Sequence, residues 1–313
     1  MKKKISIVAS CYNEAENIPE LYRRITQVMA GFPDYAYDII LADNRSTDDT
    51  RQVIRDIAAK DRHLKAIFNA ANFGHIRSPY NAMLAARGDA VVLLCSDLQE
   101  PPELISDFIH AWESGAMVVC GVKTRSRENP LMFCVRRAYY KLIRFLSETP
   151  QIENFTGFGL YDRRVVDALR LYHEPYPYLR GLVAEIGFKR VEVEYEQQKR
   201  QHGKTKNNFL TLYDMAMTGF VNHTKMPLRL AAFAGFTLAA ISLVVAIAYL
   251  VYKLVHWNDF ALGLAPLIIG LFFFASVQLI FIGMIGEYVG AIWTQVKNRP
   301  LAIEEERINF DEE

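Results

Sequence analysis

Two long stretches of this chain carry no charged side chain, residues 230–252 and 260–286. At 1.5 Å rise per residue, a helix of the first length spans roughly 35 Å, enough for the hydrocarbon core of a bilayer. Core helices of soluble proteins seldom stay uncharged on every face for so long, because one face meets water. The pair is therefore expected to form a transmembrane hairpin over 229–289, with spans at about 230–252 and 262–286. The short connection, which holds Lys253, Asn258 and Asp259, reads as a turn in water, so both ends of the hairpin share one side. Lys225 and Arg229 precede the pair and Lys297 and Arg299 follow it, against Lys253 alone near the turn. That bias assigns the flanks, and any domain attached to them, to the cytoplasm, as in a bacterial inner membrane.

The rest of the chain is of a different kind. Charges are spread through the first ~228 residues, so a soluble segment is joined to an apolar one. With a formal net charge of +1 over 313 residues, no basic excess exists to neutralise nucleic-acid phosphates. Cys11, Cys95, Cys120 and Cys134 match neither a zinc spacing nor a disulfide framework and read as reduced thiols. Lys2, Lys3 and Lys4 resemble the start of a signal peptide, but the apolar run 5–9 is too short for one and reads as a first strand.

Residues 1–207 alternate strand and helix. Short β-rich apolar runs at 5–9, 37–42, 64–68 and 90–94 are separated by helical stretches, among them 15–31 and 47–61, and a further strand is expected at 117–122. Such alternation predicts an α/β fold with a mostly parallel sheet, whose ligand lies in the crevice beyond the carboxyl ends of the strands. Polar tips occupy those ends: Ser10-Cys11-Tyr12-Asn13-Glu14, Asp43-Asn44-Arg45-Ser46 and Cys95-Ser96-Asp97-Leu98-Gln99-Glu100-Pro101-Pro102-Glu103. Asp43 can accept hydrogen bonds from a base or ribose, and Asp97 can hold a divalent cation against a diphosphate. An Asp ending a strand is commonly a turn former, so it is the agreement of the tips on one edge that points to a site.

Together these tips resemble the family 2 glycosyltransferases, of the polyprenyl-phosphate type that includes dolichol-phosphate mannose synthase and the bactoprenol glucosyltransferases. That family shows Tyr-Asn-Glu, Asp-Asp-Gly-Ser and Asp-x-Asp-Leu-Gln-Asp-Pro-Pro-Glu after strands one, two and four. Asn72-Phe73-Gly74, Asp162-Arg163-Arg164, Arg200 with Gly203, Thr205 and Lys206, and Lys297-Asn298-Arg299-Pro300 extend the likeness over nearly the whole chain. The resemblance implies a glycosyltransferase A-type nucleotide-binding domain followed by the hairpin. It implies nucleotide-sugar binding by Tyr12, Asn13, Glu14, Asp43, Asn72, Gly74, Ser96, Asp97 and Gln99, with Mg2+ or Mn2+ on Asp97 and Gln99 or Glu100 as helper. Asp97 and Arg127 are the expected catalytic residues. Lys123, Arg127, Arg200 and Lys206 are expected to bind the acceptor phosphate, since guanidinium forks and ammonium groups suit phosphate oxygens.

Three departures stand out. Cys95 replaces the first Asp of the metal motif, Asn44 and Arg45 replace Asp and Gly of the second tip, and Gly157 stands where relatives carry a catalytic-base Asp. A hydroxyl acceptor would need that base. A phosphate monoester, with a second pKa near ~6, is already largely dianionic at neutral pH.

Residues 208–228 read as an amphipathic helix, with Phe209, Tyr213, Ala216, Met217, Phe220 and Val221 on one face and Thr211, Asp214, Thr218 and Asn222 on another. Ahead of a span, such a helix suits the headgroup layer; residues 290–313 read as a cytoplasmic tail. The expected function is inverting transfer of a sugar from a nucleotide diphosphate sugar, a uridine one by family likeness, to a polyprenyl phosphate. The expected partners are these two substrates, the bilayer and other copies of the chain in a homo-oligomer. Two alternatives are an enzyme extending a glycan or polysaccharide, for which no Gln-x-x-Arg-Trp string is present, and a non-catalytic membrane scaffold with a degenerate nucleotide-sugar domain.

Overall fold

The computed structural model describes residues 2–125, 152, 154–198, 226–256 and 264–310. The order of elements is β1 (Lys4–Cys11), α1 (Ile18–Ala30), β2 (Ala36–Asp43), α2 (Thr50–Ala58), β3 (Leu64–Asn69), α3 (Gly74–Ala85) and β4 (Ala90–Cys95), then α4 (Ile105–Glu113), β5 (Val118–Arg125), β6 (Phe155–Asp162), α5 (Arg163–Arg170), α6 (Leu179–Ile186) and β7 (Arg190–Glu196). Two long helices, α7 (Met226–Val255) and α8 (Leu264–Val296), and a last strand β8 (Glu304–Ile308) complete it.

Among the described residues the strands form one sheet in the order β7-β5-β6-β4-β1-β2-β3-β8. The pairs β1–β2, β1–β4, β2–β3 and β5–β7 are parallel, while β6 and β8 run against their neighbours. The centre of the sheet is buried on both faces, which is why its central strands are continuous apolar runs rather than alternating ones. On one face Ile5, Ile7 and Ala9 pack with Ile18, Leu21 and Ile25 of α1, Ile54 of α2 and Phe108 of α4. On the other, Val8, Ile40 and Val91 pack with Tyr80 and Met83 of α3, Val165 and Leu169 of α5 and Leu182 of α6. The spacing of Ile18, Leu21, Ile25 and Met29 along α1 is the apolar stripe that such a layer requires.

The chain from β1 through β3 builds outward on one side of β1, and β4 returns to its other side. This change of direction lies between β1 and β4, the place where open α/β sheets bind ligands.

Helices α7 and α8 are each long and apolar enough to cross a membrane, over Leu228–Val245 and Gly270–Val296, and those segments are not buried by the rest of the chain. At the end of α8, Gln295 donates to the His173 carbonyl of the α/β domain at 3.2 Å. The tail beyond is no mere appendage: β8 pairs antiparallel with β3. A strand that follows the helical pair thus belongs to the same sheet as strands that precede it. The sequence did not signal this strand.

Candidate active site

Three tips on the carboxyl edge each contain a residue in the left-handed region: Asn13 (φ 58°) after β1, Arg45 (φ 62°) after β2 and Leu98 (φ 59°) after β4. Asn tolerates this conformation, whereas for a side chain such as Leu it costs about 1–2 kcal/mol. Residues of this kind persist where surrounding bonds over-determine the backbone, and they cluster at functional sites.

The bonds at the first two tips form a lattice. The Asn13 backbone N–H donates to Ser46 Oγ at 2.9 Å, and Asn13 Oδ1 accepts from the Thr47 backbone N–H at 2.8 Å. The Glu14 N–H donates to Thr50 Oγ1 at 2.9 Å. The Ser46 N–H in turn donates to the Asp43 carboxylate at 3.2 Å. Asp43 has no exposed surface, and its Oδ2 is held by Arg51 Nε at 2.6 Å. Asp43, expected to accept hydrogen bonds from a base or ribose, here accepts from Arg51 and the Ser46 N–H, and its carboxylate braces the tip from beneath. Arg51 also donates to the Asn69 carbonyl at 2.7 Å and to Glu305 Oε2 at 3.0 Å. Burial alone would lower the Arg51 pKa, but its bonds to Asp43 and Glu305 outweigh that and raise it above the ordinary value.

Behind β3, Asn72 and Gly74 gather around Asn44. Asn44 Nδ2 donates to Asn72 Oδ1 at 2.8 Å and to the Gly74 carbonyl at 3.2 Å, and its Oδ1 accepts from the Phe73 N–H at 2.8 Å. Gly74 adopts φ 82°, a left-handed turn that starts α3 without a Cβ to strain it.

At the β4 tip, Ser96 Oγ donates to the Ser10 carbonyl at 2.9 Å and joins the two strands that flank the switch point. That bond makes buried Ser96 a fastener of the crevice floor. Asp97 is half-buried, and its Oδ1 accepts from the Gln99 N–H at 3.2 Å across the Leu98 turn. Glu100 turns inward: its Oε2 accepts from the Cys95 N–H and its Oε1 from Thr156 Oγ1, both at 2.8 Å. Burial raises the Glu100 pKa against the opposing effect of those two bonds and of the Lys123 charge. Glu100 is thus removed from the set of candidate cation ligands, while Lys123 stands within electrostatic reach of the β4 tip. Arg127, Arg200, Lys206 and residues 208–225 of the expected amphipathic helix lie outside the described residues, and its last three positions, 226–228, are the start of α7.

Among the described residues, no group of three or more His, Cys, Asp and Glu side chains converges on one point. Asp97 is the half-buried carboxylate of the β4 tip, beside the switch point. Such a site fits a hard cation that takes most of its oxygen ligands from a bound diphosphate and water, as magnesium does.

The glycines of β6 account for another departure. Gly157 adopts φ 104°, where any side chain is strained. A Cβ on Gly159 would lie 2.1 Å from the Val119 carbonyl oxygen, and one on Gly121 would lie 2.7 Å from the Phe158 ring. The close approach of β5 and β6, with its register shift between Cys120 and Val122, leaves no room for a side chain at Gly121 or Gly159.

The profile of "Glycosyl transferase family 2" matches residues 6–170, which include all three tips. The chain is 33% identical to the SfII prophage-derived bactoprenol glucosyl transferase of Shigella flexneri, over 95% of this chain and 96% of that one. It is 29% identical to the prophage bactoprenol glucosyl transferase homolog of Escherichia coli K12, over 95% and 97%. Among solved structures, the mannosyltransferase PcManGT from Pyrobaculum calidifontis, in complex with GDP-Man and Mn2+, is similar at 18% identity and a TM-score of 0.49, over 95% of this chain and 87% of that one.

Proposed function

Because the chain belongs to glycosyl transferase family 2 and is a glycosyltransferase with an A-type α/β domain, we propose that it transfers a sugar, with inversion, from a uridine diphosphate sugar to a polyprenyl phosphate at the cytoplasmic face of a bilayer. The observation that carries the reading is the position of Asp97, a half-buried carboxylate on the β4 tip beside the β1–β4 switch point of the sheet that the strand after the apolar helices completes. Relatives bearing the bactoprenol glucosyl transferase name over nearly their full length support the choice of acceptor.

Asn13, Tyr12 and Glu14 at the β1 tip, Asn72 and Gly74 behind β3, and Gln99 line the donor side in this reading, with Asp43 and Ser96 bracing it from below. Asp97, helped by Gln99, would hold Mg2+ or Mn2+, which when bound neutralises charge on the departing diphosphate. A phosphate oxygen of the acceptor forms a bond to the anomeric carbon as the bond from that carbon to the diphosphate breaks, and the nucleoside diphosphate leaves with the electron pair. In-line displacement inverts the anomeric configuration. No side chain has to remove a proton, because the acceptor is already an anion, and this agrees with a glycine at position 157. Lys123, Arg127, Arg200 and Lys206 position that anion.

In this reading both outer ends of α7 and α8 share a side, and Lys225, Arg229, Lys297 and Arg299 flank the pair in the sequence. If the helices span, the positive-inside bias assigns the α/β domain to the cytoplasm.

The test incubates membranes containing the protein with radiolabelled nucleotide sugars and polyprenyl phosphate, alongside Asp97→Ala. Label should enter the organic phase with the wild type alone. Transfer into water-soluble glycan, or equal transfer by the variant, would refute the reading.

A further inference from the structure

The tail strand reaches the donor crevice through a continuous set of side chains. In β8 the register with β3 runs Phe68↔Glu306 and then Asn69↔Glu304, so Glu305 is the extra residue of a bulge. In a regular strand, successive side chains point to opposite faces of the sheet. Here Glu305 and Glu306 both reach α2, at Arg51 and Arg55, while Glu304 reaches Asn81 of α3 on the other face. The bulge thus re-aims Glu305 toward Arg51, a use to which bulges near active sites are commonly put.

From Glu305 the links continue inward. Glu305 Oε2 accepts from Arg51 at 3.0 Å, Arg51 Nε donates to Asp43 at 2.6 Å, Asp43 accepts from the Ser46 N–H at 3.2 Å, and Ser46 Oγ accepts from the Asn13 N–H at 2.9 Å. The last member is the left-handed residue of the β1 tip. Further bonds dock the same tail: Arg77 to the Pro300 carbonyl at 2.5 Å, and the Ala70 N–H to the Ile303 carbonyl at 2.9 Å. Arg51 has three acceptors to satisfy, on β2, β3 and β8. Without Glu305 the guanidinium keeps its bonds to Asp43 and the Asn69 carbonyl but loses the outer anchor that fixes its orientation.

We propose that Glu305 is a positioning residue for donor binding: the strand that returns from the apolar helices sets the Arg51–Asp43 clamp, and through it the Asn13 tip that meets the nucleotide. The proposal rests on the donor-site reading given above. It makes donor affinity depend on the seating of the tail, and so on the segment to which the tail is tethered.

The experiment uses the full chain in detergent and compares wild type, Glu305→Gln, Glu306→Gln, Arg51→Gln and the Arg51→Gln/Glu305→Gln pair. Binding of uridine and guanosine diphosphate, the KM of donor and acceptor, kcat and the melting temperature are measured. Loss of one charge-assisted bond predicts a rise of about tenfold in nucleotide Kd and donor KM for Glu305→Gln, with acceptor KM and kcat within about twofold. Glu306→Gln, whose partner Arg55 lies one turn along α2 from Arg51, should match wild type, and the double variant should be no worse than Arg51→Gln alone, as expected of residues in one network. A wild-type donor KM in Glu305→Gln overturns the proposal. So does a loss shared equally with Glu306→Gln, or a fall in kcat and melting temperature with donor KM unchanged, since either marks a merely structural strand. If wild type binds neither nucleotide, the donor-site reading itself fails, an outcome distinct from a failure of Glu305.

Discussion

The side-chain amide of Asn44 donates to Asn72 Oδ1 at 2.8 Å and so ties the β2 tip to the loop that opens α3. The same nitrogen reaches the Gly74 carbonyl, and the oxygen receives the Phe73 N–H. Asn44 therefore both donates and accepts inside a pocket where it is 4% exposed.

A carboxylate in that place can only accept. Asn44→Asp would turn an acceptor toward Asn72 Oδ1 and the Gly74 carbonyl, at a cost of about 1–3 kcal/mol. We expect a lower melting temperature and weaker nucleotide binding, both measurable on purified protein. The Asp of the family pattern at this tip is therefore not neutral in this chain.

Asp97→Asn should abolish most transfer while the fold survives, because the side chain is half-buried and its bond to the Gln99 N–H can be kept by an amide oxygen. Loss of one group that stabilises developing charge lowers kcat by about a hundredfold or more. Chelation of divalent cations should produce a similar loss in wild type, reversed by Mg2+ or Mn2+, and should add little to the variant. Undiminished activity in excess chelator would remove the cation from the reaction.

Gly159→Ala places a Cβ against the Val119 carbonyl oxygen, a contact of 2.1 Å that only backbone movement relieves. Destabilisation of about 3 kcal/mol is expected. Gly235→Ala in α7, where nothing lies within 4 Å of the new atom, should leave the melting temperature unchanged.

Glu100 gives a pH signature. Burial raises its folded pKa above the ordinary value of 4.5, so its protonated form is favoured by folding. The contribution to stability is fully present below the unfolded value and is lost as pH rises through the folded one. Relative to Glu100→Gln, wild type should gain melting temperature as pH falls from neutral toward 4.5. A difference that is flat with pH would mean that Glu100 titrates as it does in water.

Much of the α/β domain was legible because its signals are local. Runs such as Ile5, Ile7 and Val8 announce a strand buried on both faces, and the polar tips after Cys11, Asp43 and Cys95 mark the ends where a ligand crevice forms. Asp97 was singled out in this way, and the β4 tip that carries it lies beside the switch point. Asp43 was found as well, but its role was not: a strand-ending Asp looks the same whether it faces a ligand or an arginine beneath it. Arg51 was missed because nothing in the first turn of α2 distinguishes it from a solvated cation.

What the chain alone determined, then, is the order of elements and the chemistry at their ends, since hydrophobic period and turn residues act over a few positions. The apolar pair α7 and α8 is determined equally directly, by length and the absence of charge. Tertiary structure decided which strands are neighbours, that β6 and β8 run against the rest, and that Glu305 meets Arg51 across 254 positions. Such pairings depend on how distant segments share one sheet edge, and burial of Asp43 at that edge makes them matter.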